Sequence, residues 1–256
     1  MMHEDPKLLS DYALLHLRSI ASTNDEARRM ADTGCDMPVW ILADEQTAGR
    51  GRRGREWVSP KGNLMTTLYL PCDMPTGEAG QLAFVAGVAL AETARTICGG
   101  EADIGVKWPN DVLLGKAKLG GLLLESAAGE GGRLQWVAIG IGLNLAAHPD
   151  DTPYPATSVK AAMGKAPDNL AALKILGETF HKHFRHWRDN GFAPILETWR
   201  GAARGIGEAI EIKLADETLH GVFEGIDDSG ALILRREDGT TETITAGDVF
   251  FPASES

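Results

Sequence analysis

Hydrophobic and polar positions give the chain two textures. Apolar runs of four to eight residues alternate with stretches of helical period over most of its length, and only short runs remain toward the end. Ala27, Met30 and Ala31 form a helical stripe behind Ser22-Thr23-Asn24-Asp25-Glu26. Thr23 and Glu26 stand in capping-box spacing, and this helix is expected to end near Gly34. Residues 39–43, after Pro38, read as a buried strand, and residues 63–70 as a second. Residues 80–97 have helical period, and the Ala- and Gly-rich part at 81–91 reads as a buried helix. Residues 103–108 form a strand closed by the turn Pro109-Asn110-Asp111. In residues 112–125 two apolar runs flank Gly115-Lys116-Ala117-Lys118, which predicts a hairpin. Residues 134–145 form another strand, with Gly140 and Gly142 inside it. Glycines there imply close approach of the backbone to a ligand or a neighbour. Residues 147–155 are a Pro/Asp-rich loop, and 169–189 and 193–199 are helical.

After Arg204 the pattern changes. Residues 208–214, 217–226, 231–236 and 242–245 are short strands separated by turn signals, among them Asp227-Asp228-Ser229-Gly230 and Glu237-Asp238-Gly239. A small β-barrel or sandwich is expected, with a boundary near residue 205. The fold class is α/β (α+β): a mixed β-sheet flanked by helices, followed by a small β-domain.

Charge narrows the function. With 25 basic and 36 acidic side chains the net charge is −11, a poor match to nucleic acid or to anionic membranes. Cys35, Cys72 and Cys98 form no metal or disulfide framework and read as reduced cytoplasmic thiols. No apolar run approaches a transmembrane span, and the N-terminus lacks a signal-peptide pattern.

Against that acidic background, residues 49–55 (GRGRRGR) hold four arginines and three glycines, just after a predicted strand. Glycines can expose backbone N–H groups to a ligand, and guanidiniums grip carboxylate or phosphate bidentately. Trp57 can offer a flat surface to an adenine ring. A solvated basic loop or an RNA-binding Arg-Gly patch fits the loop equally well when it is taken alone. It lacks the Gly-Lys-Ser/Thr ending of a P-loop, and its match to G-x-G-x-x-G has arginines at the variable positions and no acid about 20 residues on. Lys107, at a strand end before Trp108-Pro109-Asn110-Asp111, can place an ammonium near a cleft, or can simply be a surface lysine. Gly120-Gly121 suggests either a backbone passing a ligand or a β-bulge. Asn144, ending Gly140-Ile141-Gly142-Leu143, fits a ribose contact or a turn. His181, His183 and His186 lack a carboxylate partner at metal-binding spacing, and no GxSxG element anchors a hydrolase triad.

In combination these segments resemble the biotin protein ligases. The family pattern appears in order as Ser22-Thr23-Asn24, Gln46 with residues 49–55 and Trp57, residues 107–111 (KWPND), residues 118–125 (KLGGLLLE), and residues 140–144 (GIGLN). The resemblance implies a class II aminoacyl-tRNA synthetase-like catalytic domain at 12–204 and an SH3-like β-domain at 205–256. It implies ATP and biotin as substrates with Mg²⁺, and a biotin carboxyl carrier protein or biotinyl domain as partner. It places Ser22, Thr23, Asn24, Gln46, Arg50, Gly51, Arg52, Lys107, Gly120 and Gly121 at biotin. Arg52, Arg53, Arg55, Trp57, Lys107 and Asn144 fall on the adenylate side, and Lys107 and Arg52 are catalytic. About twenty residues precede Ser22, too few for the winged helix of the repressor-type members, so a ligase without DNA binding is expected, as a monomer or homodimer. The rival readings are a lipoate or octanoate ligase or transferase of the same superfamily, and a non-catalytic RNA-binding protein.

Overall fold

The computed structural model describes residues 12–58, 60–152 and 154–251. The first strand, β1 (Ala13–Leu17), was not evident in the pattern. It is an edge strand that pairs in parallel with β2 (Val39–Ala43), and α1 (Thr23–Asp32) crosses between them. β3 (Leu64–Pro75) runs antiparallel to β2 and continues past its expected end at Leu70. Helix α2 (Ala79–Cys98) follows. Then come β4 (Ile104–Lys107), β5 (Asp111–Leu114), β6 (Ala117–Ala128) and β7 (Arg133–Leu143). The sheet order is β1-β2-β3-β7-β6-β5-β4, antiparallel except at β1–β2. The expected hairpin is β5–β6, turning at Gly115 (φ 57°).

Both faces of this sheet are covered, which explains why β2 reads as an unbroken apolar run. Val39 and Ile41 join Ala27, Tyr69 and Ala138 beneath α1. Trp40 and Leu42 point to the other face, where α2, α4 (Asn169–Asn190) and α5 (Ala193–Ala202) pack together; the short α3 (Val159–Met163) precedes α4. The capping box does not form at α1. Ser22 is the N-cap residue, without a side-chain cap, and Glu26 binds Arg29 instead. The hydroxyl of Thr23 is engaged elsewhere, in the site described below. Of the three histidines in α4, His183 Nε2 lies 2.7 Å from Glu92 Oε2.

The strands after Arg204 are β8 (Ala209–Lys213), β9 (Thr218–Ile226), β10 (Leu232–Arg235), β11 (Thr241–Ile244) and β12 (Asp248–Phe250). They form one antiparallel sheet in the order β11-β10-β9-β8-β12. β12, only three residues long, had no sequence signal. This sheet docks closely on the first. Trp108 Nε1 donates to Gly230 O at 3.0 Å, and the Phe84 ring fills the space that a side chain at Gly230 (φ +87°) would need. Ile210, Phe223 and Leu232 belong to the same core cluster as Leu68, Leu90 and Ile139. Among the described residues no helix is long and apolar enough to cross a membrane.

Candidate active site

A cleft of about 460 Å³ opens between α1, the loop after β2, and the central strands β6 and β7. One end of it is a buried polar cluster. Gln46 Oε1 accepts from the backbone N–H of Thr23 at 2.8 Å and from its hydroxyl at 3.0 Å. Thr67 Oγ1 lies 2.8 Å from Thr23 Oγ1 and 2.6 Å from Asn24 Oδ1. Asn24 Nδ2 donates to Leu123 O and to Glu125 Oε2. This lattice fixes each amide's orientation, because a buried polar atom left unpaired is costly. Gly140 is required beneath it: a Cβ there would collide with the Asn24 carboxamide.

The arginine loop forms the other wall. It is closed by its own backbone, with Gly51 N donating to Arg55 O and Trp57 N to Gly49 O, around a tight turn at Arg52–Gly54 where Arg53 takes φ +54°. Its four guanidiniums divide. Arg50 turns to α1 and pairs bidentately with Asp25, at 2.8 and 2.6 Å. That hydrogen bond is the main reason the Asp25 carboxyl titrates below its ordinary range and Arg50 above its own. The other three arginines converge on Asp248 of β12. Arg52 Nη1 lies 3.4 Å from its Oδ1 and donates to Gly247 O at 3.1 Å; Arg53 Nη1 lies 3.5 Å from Oδ2, and Arg55 Nη2 2.9 Å from Oδ1. Burial lowers the pKa of Arg52. Burial also opposes the charge on Arg55, but Asp248 and Tyr154 outweigh it and the net shift is upward. Trp57 lies flat against β7 at Gly142, where a Cβ would strike the indole, and Lys118 Nζ is 5.4 Å from its ring centre. The glycines inside β7 therefore do admit a close approach: Gly140 to Asn24 and Gly142 to Trp57.

Ser22, Thr23, Asn24, Gln46, Arg50, Gly51, Arg52, Arg55, Trp57, Gly121 and Asn144 all line this cleft. Arg53, Lys107 and Gly120 do not. Arg53 faces the second sheet, where its Nη1 donates to Lys213 O at 3.0 Å. Gly120 packs its backbone against Gly142 O and Leu90, just past a bulge at Leu119, as the bulge reading of the glycine pair expects, while Gly121 lines the cleft. Asn144 is held by a hydrogen bond from its Nδ2 to Thr157 O.

Lys107 is 6% exposed at the end of β4. Its ammonium sits 4.3 Å from the Tyr154 ring centre, 5.4 Å from that of Phe251 and 5.8 Å from that of Phe250. Burial pulls its pKa down to about 8. Nearby, Asp111 Oδ1 is 2.5 Å from Lys118 Nζ, a close ion pair although off the hydrogen-bonding direction. Sequence reasoning missed Asp25, Thr67, Glu125, Tyr154, Asp248 and Phe250. Asp25 could have been found, as an acid one turn inside a helix that faces an arginine loop. The residues from β12 carry no local signal, because only the docking of the two sheets brings them here.

A mixed sheet with a glycine-floored cleft and an arginine loop over it describes a ligase-type catalytic fold. The biotin/lipoate A/B protein ligase family model matches residues 17–144, and the biotin protein ligase C-terminal domain model matches residues 205–251. The chain belongs to the biotin protein ligase branch of that family. It is 46% identical over 235 residues to the biotin–[acetyl-CoA-carboxylase] ligase of Paracoccus denitrificans, covering 90% of this chain and 97% of that protein. It is 34% identical to the bifunctional ligase/repressor BirA of Bacillus subtilis, covering 91% of this chain and 72% of that one. Among solved structures, the Aquifex aeolicus biotin protein ligase in complex with biotin and ATP superposes with a TM-score of 0.78 at 25% identity, over 93% and 97% of the two chains. The Leishmania major biotin protein ligase in complex with biotinyl-5-AMP gives 0.64 at 26% identity, over 91% and 98%.

Proposed function

We propose that the chain activates biotin with ATP and transfers it to a lysine of a carrier protein of the acetyl-CoA carboxylase type. The observation that carries this reading is one cleft with a buried polar cluster at one end and an arginine loop at the other, in a chain of this family. In the first step the carboxylate of biotin attacks the α-phosphate of ATP, giving biotinyl-5′-AMP and pyrophosphate. In the second, the carrier lysine attacks the acyl carbon of the mixed anhydride, forms the amide and releases AMP.

The roles are those the family resemblance implies, taken together with charge and position. Ser22, Thr23, Asn24 and Gln46 take the polar ring of biotin, and Gly51 and Gly121 shape the walls around it. Arg50, Arg52 and Lys107 offset the repulsion between carboxylate and phosphate as the two come together. Arg55, Trp57 and Asn144, which line the cleft, serve the adenylate side, while Arg53 ties the loop to the second sheet. A closed loop over the anhydride keeps water from it. Mg²⁺ accompanying ATP would screen phosphate charge; Asp111 would serve it as a carboxylate only by giving up Lys118, whose Nζ lies 2.5 Å from its Oδ1. We place the catalytic unit at 12–204 and the β-unit at 205–256.

Pyrophosphate exchange into ATP tests the reading. It should require biotin and ignore lipoate; exchange driven by lipoate alone would overturn it.

A further inference from the structure

Lys107 presents a puzzle of placement. The reading above asks it to meet two incoming anions, yet it lies outside the cleft lining, and the wall between them is Tyr154. Tyr154 comes from the loop after β7. Its ring covers the Lys107 ammonium on one side and packs against Phe250 at 5.4 Å on another, and its hydroxyl accepts from Arg55 Nη1 at 3.3 Å. Phe250 and Phe251, at the end of the second sheet, add two further ring faces at 5.8 and 5.4 Å. Among the described residues no group accepts a hydrogen bond from Lys107 Nζ. The charged groups that face it are Asp111 from β5, Lys118 from β6, Asp248 from β12 and Arg55 from the loop.

Aromatic faces attract an ammonium without accepting its proton and without neutralising it. A carboxylate in their place would stabilise the lysine more strongly but would compete with the substrate for it. The cage therefore stores a desolvated cation with its charge intact, one ring away from the cleft. A carboxylate or phosphate that offers a charge-assisted hydrogen bond outcompetes aromatic faces.

We infer that Tyr154 is a positioning residue for Lys107: its ring holds the ammonium in an aromatic cage with Phe250 and Phe251 and swings aside to admit it when biotin and ATP occupy the cleft. This rests on the reading of Lys107 as the lysine that meets both anions.

Full-length wild type, Tyr154→Ala, Tyr154→Phe and Phe250→Ala proteins test it, with two readouts. The first is the rate at which acetic anhydride labels Lys107, followed by peptide mass spectrometry. The second is the pH profile of biotin-dependent pyrophosphate exchange. In the apo protein, labelled at about pH 10 where the amine is largely neutral with or without the ring, Tyr154→Ala should raise labelling of Lys107 about tenfold, while other lysines keep their rates. Water entering the cage should move the alkaline limb of the exchange profile upward by about one pH unit. Tyr154→Phe should keep the wild-type labelling rate and limb, because the ring remains. In wild type, biotin with ATP should change the labelling of Lys107, whereas ATP alone should not. If Tyr154→Ala and Phe250→Ala both leave labelling and the limb at wild-type values, Tyr154 is a plain wall and the inference fails. Should Tyr154→Ala not fold, Phe250→Ala and the wild-type labelling with and without ligands decide the matter. Loss of biotin-dependent exchange in wild type would instead remove the ligase reading and leave the labelling result standing by itself.

Discussion

Lys107 and Gly142 each tie one residue to one measurable quantity. The Lys107 ammonium is present below pH about 8. As pH rises through that value the folded protein releases the proton, while an unfolded lysine keeps it until about 10.4. Two opposite trends follow. Adenylation should fall through pH 8 as the charge is lost. Stability should rise over the same window, because the unfolded chain then binds more protons. Lys107→Met should remove the rise in stability, as measured by urea denaturation between pH 7 and 10. Lys107→Gln should lower the rate of adenylate formation about 100-fold or more, the usual result of deleting one transition-state cation or donor. Single-turnover kinetics would show it. Gly142→Ala acts through space. Its methyl collides with Trp57, so the apparent affinity for ATP should weaken about tenfold, about 1.4 kcal/mol, while calorimetric titration finds biotin affinity within twofold of wild type.

At the scale of elements, the arginine loop is tied to two neighbours with different claims on it: Arg50 to Asp25 of α1, and Arg52, Arg53 and Arg55 to Asp248 of β12. Asp248→Asn should release the second tie and leave the first. The arginines are partly exposed, so the loss of stability should be modest, about 1 kcal/mol. The larger effect should be on retention. Biotinyl-5′-AMP formed in the variant should hydrolyse faster, read as biotin-dependent release of AMP without a carrier; an unchanged rate would mean that β12 does not govern closure. These ties also show what the sequence could and could not reveal. The buried runs at β2 and β7 and the β5–β6 hairpin were legible, because their signals are local: unbroken apolar runs, interior glycines, a turn after Leu114. β1 was not, since a five-residue edge strand exposed at His16 alternates too little. The capping box at Thr23 and Glu26 misled because Ser22 takes the N-cap and the Thr23 hydroxyl is engaged by Gln46 and Thr67. The site residues within the Arg-Gly loop and near Asn24 were legible from motif and resemblance. Tyr154, Asp248 and Phe250 were not, because their roles come from contacts across nearly a hundred residues or more of chain.

As a whole molecule, the two sheets share one core. Phe84, Trp108 and Trp199 lie in the same cluster as Phe223 and Leu232, and Gly230 seats the second sheet on Phe84. The chain should therefore unfold in a single calorimetric transition, with calorimetric and van't Hoff enthalpies in agreement. Trp108→Phe removes the hydrogen bond to Gly230 O and leaves a buried carbonyl unpaired, so it should cost about 1–3 kcal/mol. A second, earlier transition in the wild type would mean that the sheets melt separately. The field of the molecule is uneven as well. A chain of net charge −11 gathers four arginines in seven residues, and such a reversal draws anionic ligands toward the cleft at a rate that falls with ionic strength.

The seat of Trp57 on Gly142 makes the protein its own optical sensor. Of its six indoles, Trp40, Trp108, Trp187 and Trp199 are sealed in the core, whereas Trp57 lines the cleft beside the Lys118 ammonium. An adenine ring stacking there would displace water and change the neighbourhood of one fluorophore out of six. Occupancy of the nucleotide half of the site can then be followed by unlabelled emission, with Trp57→Phe as the silent control.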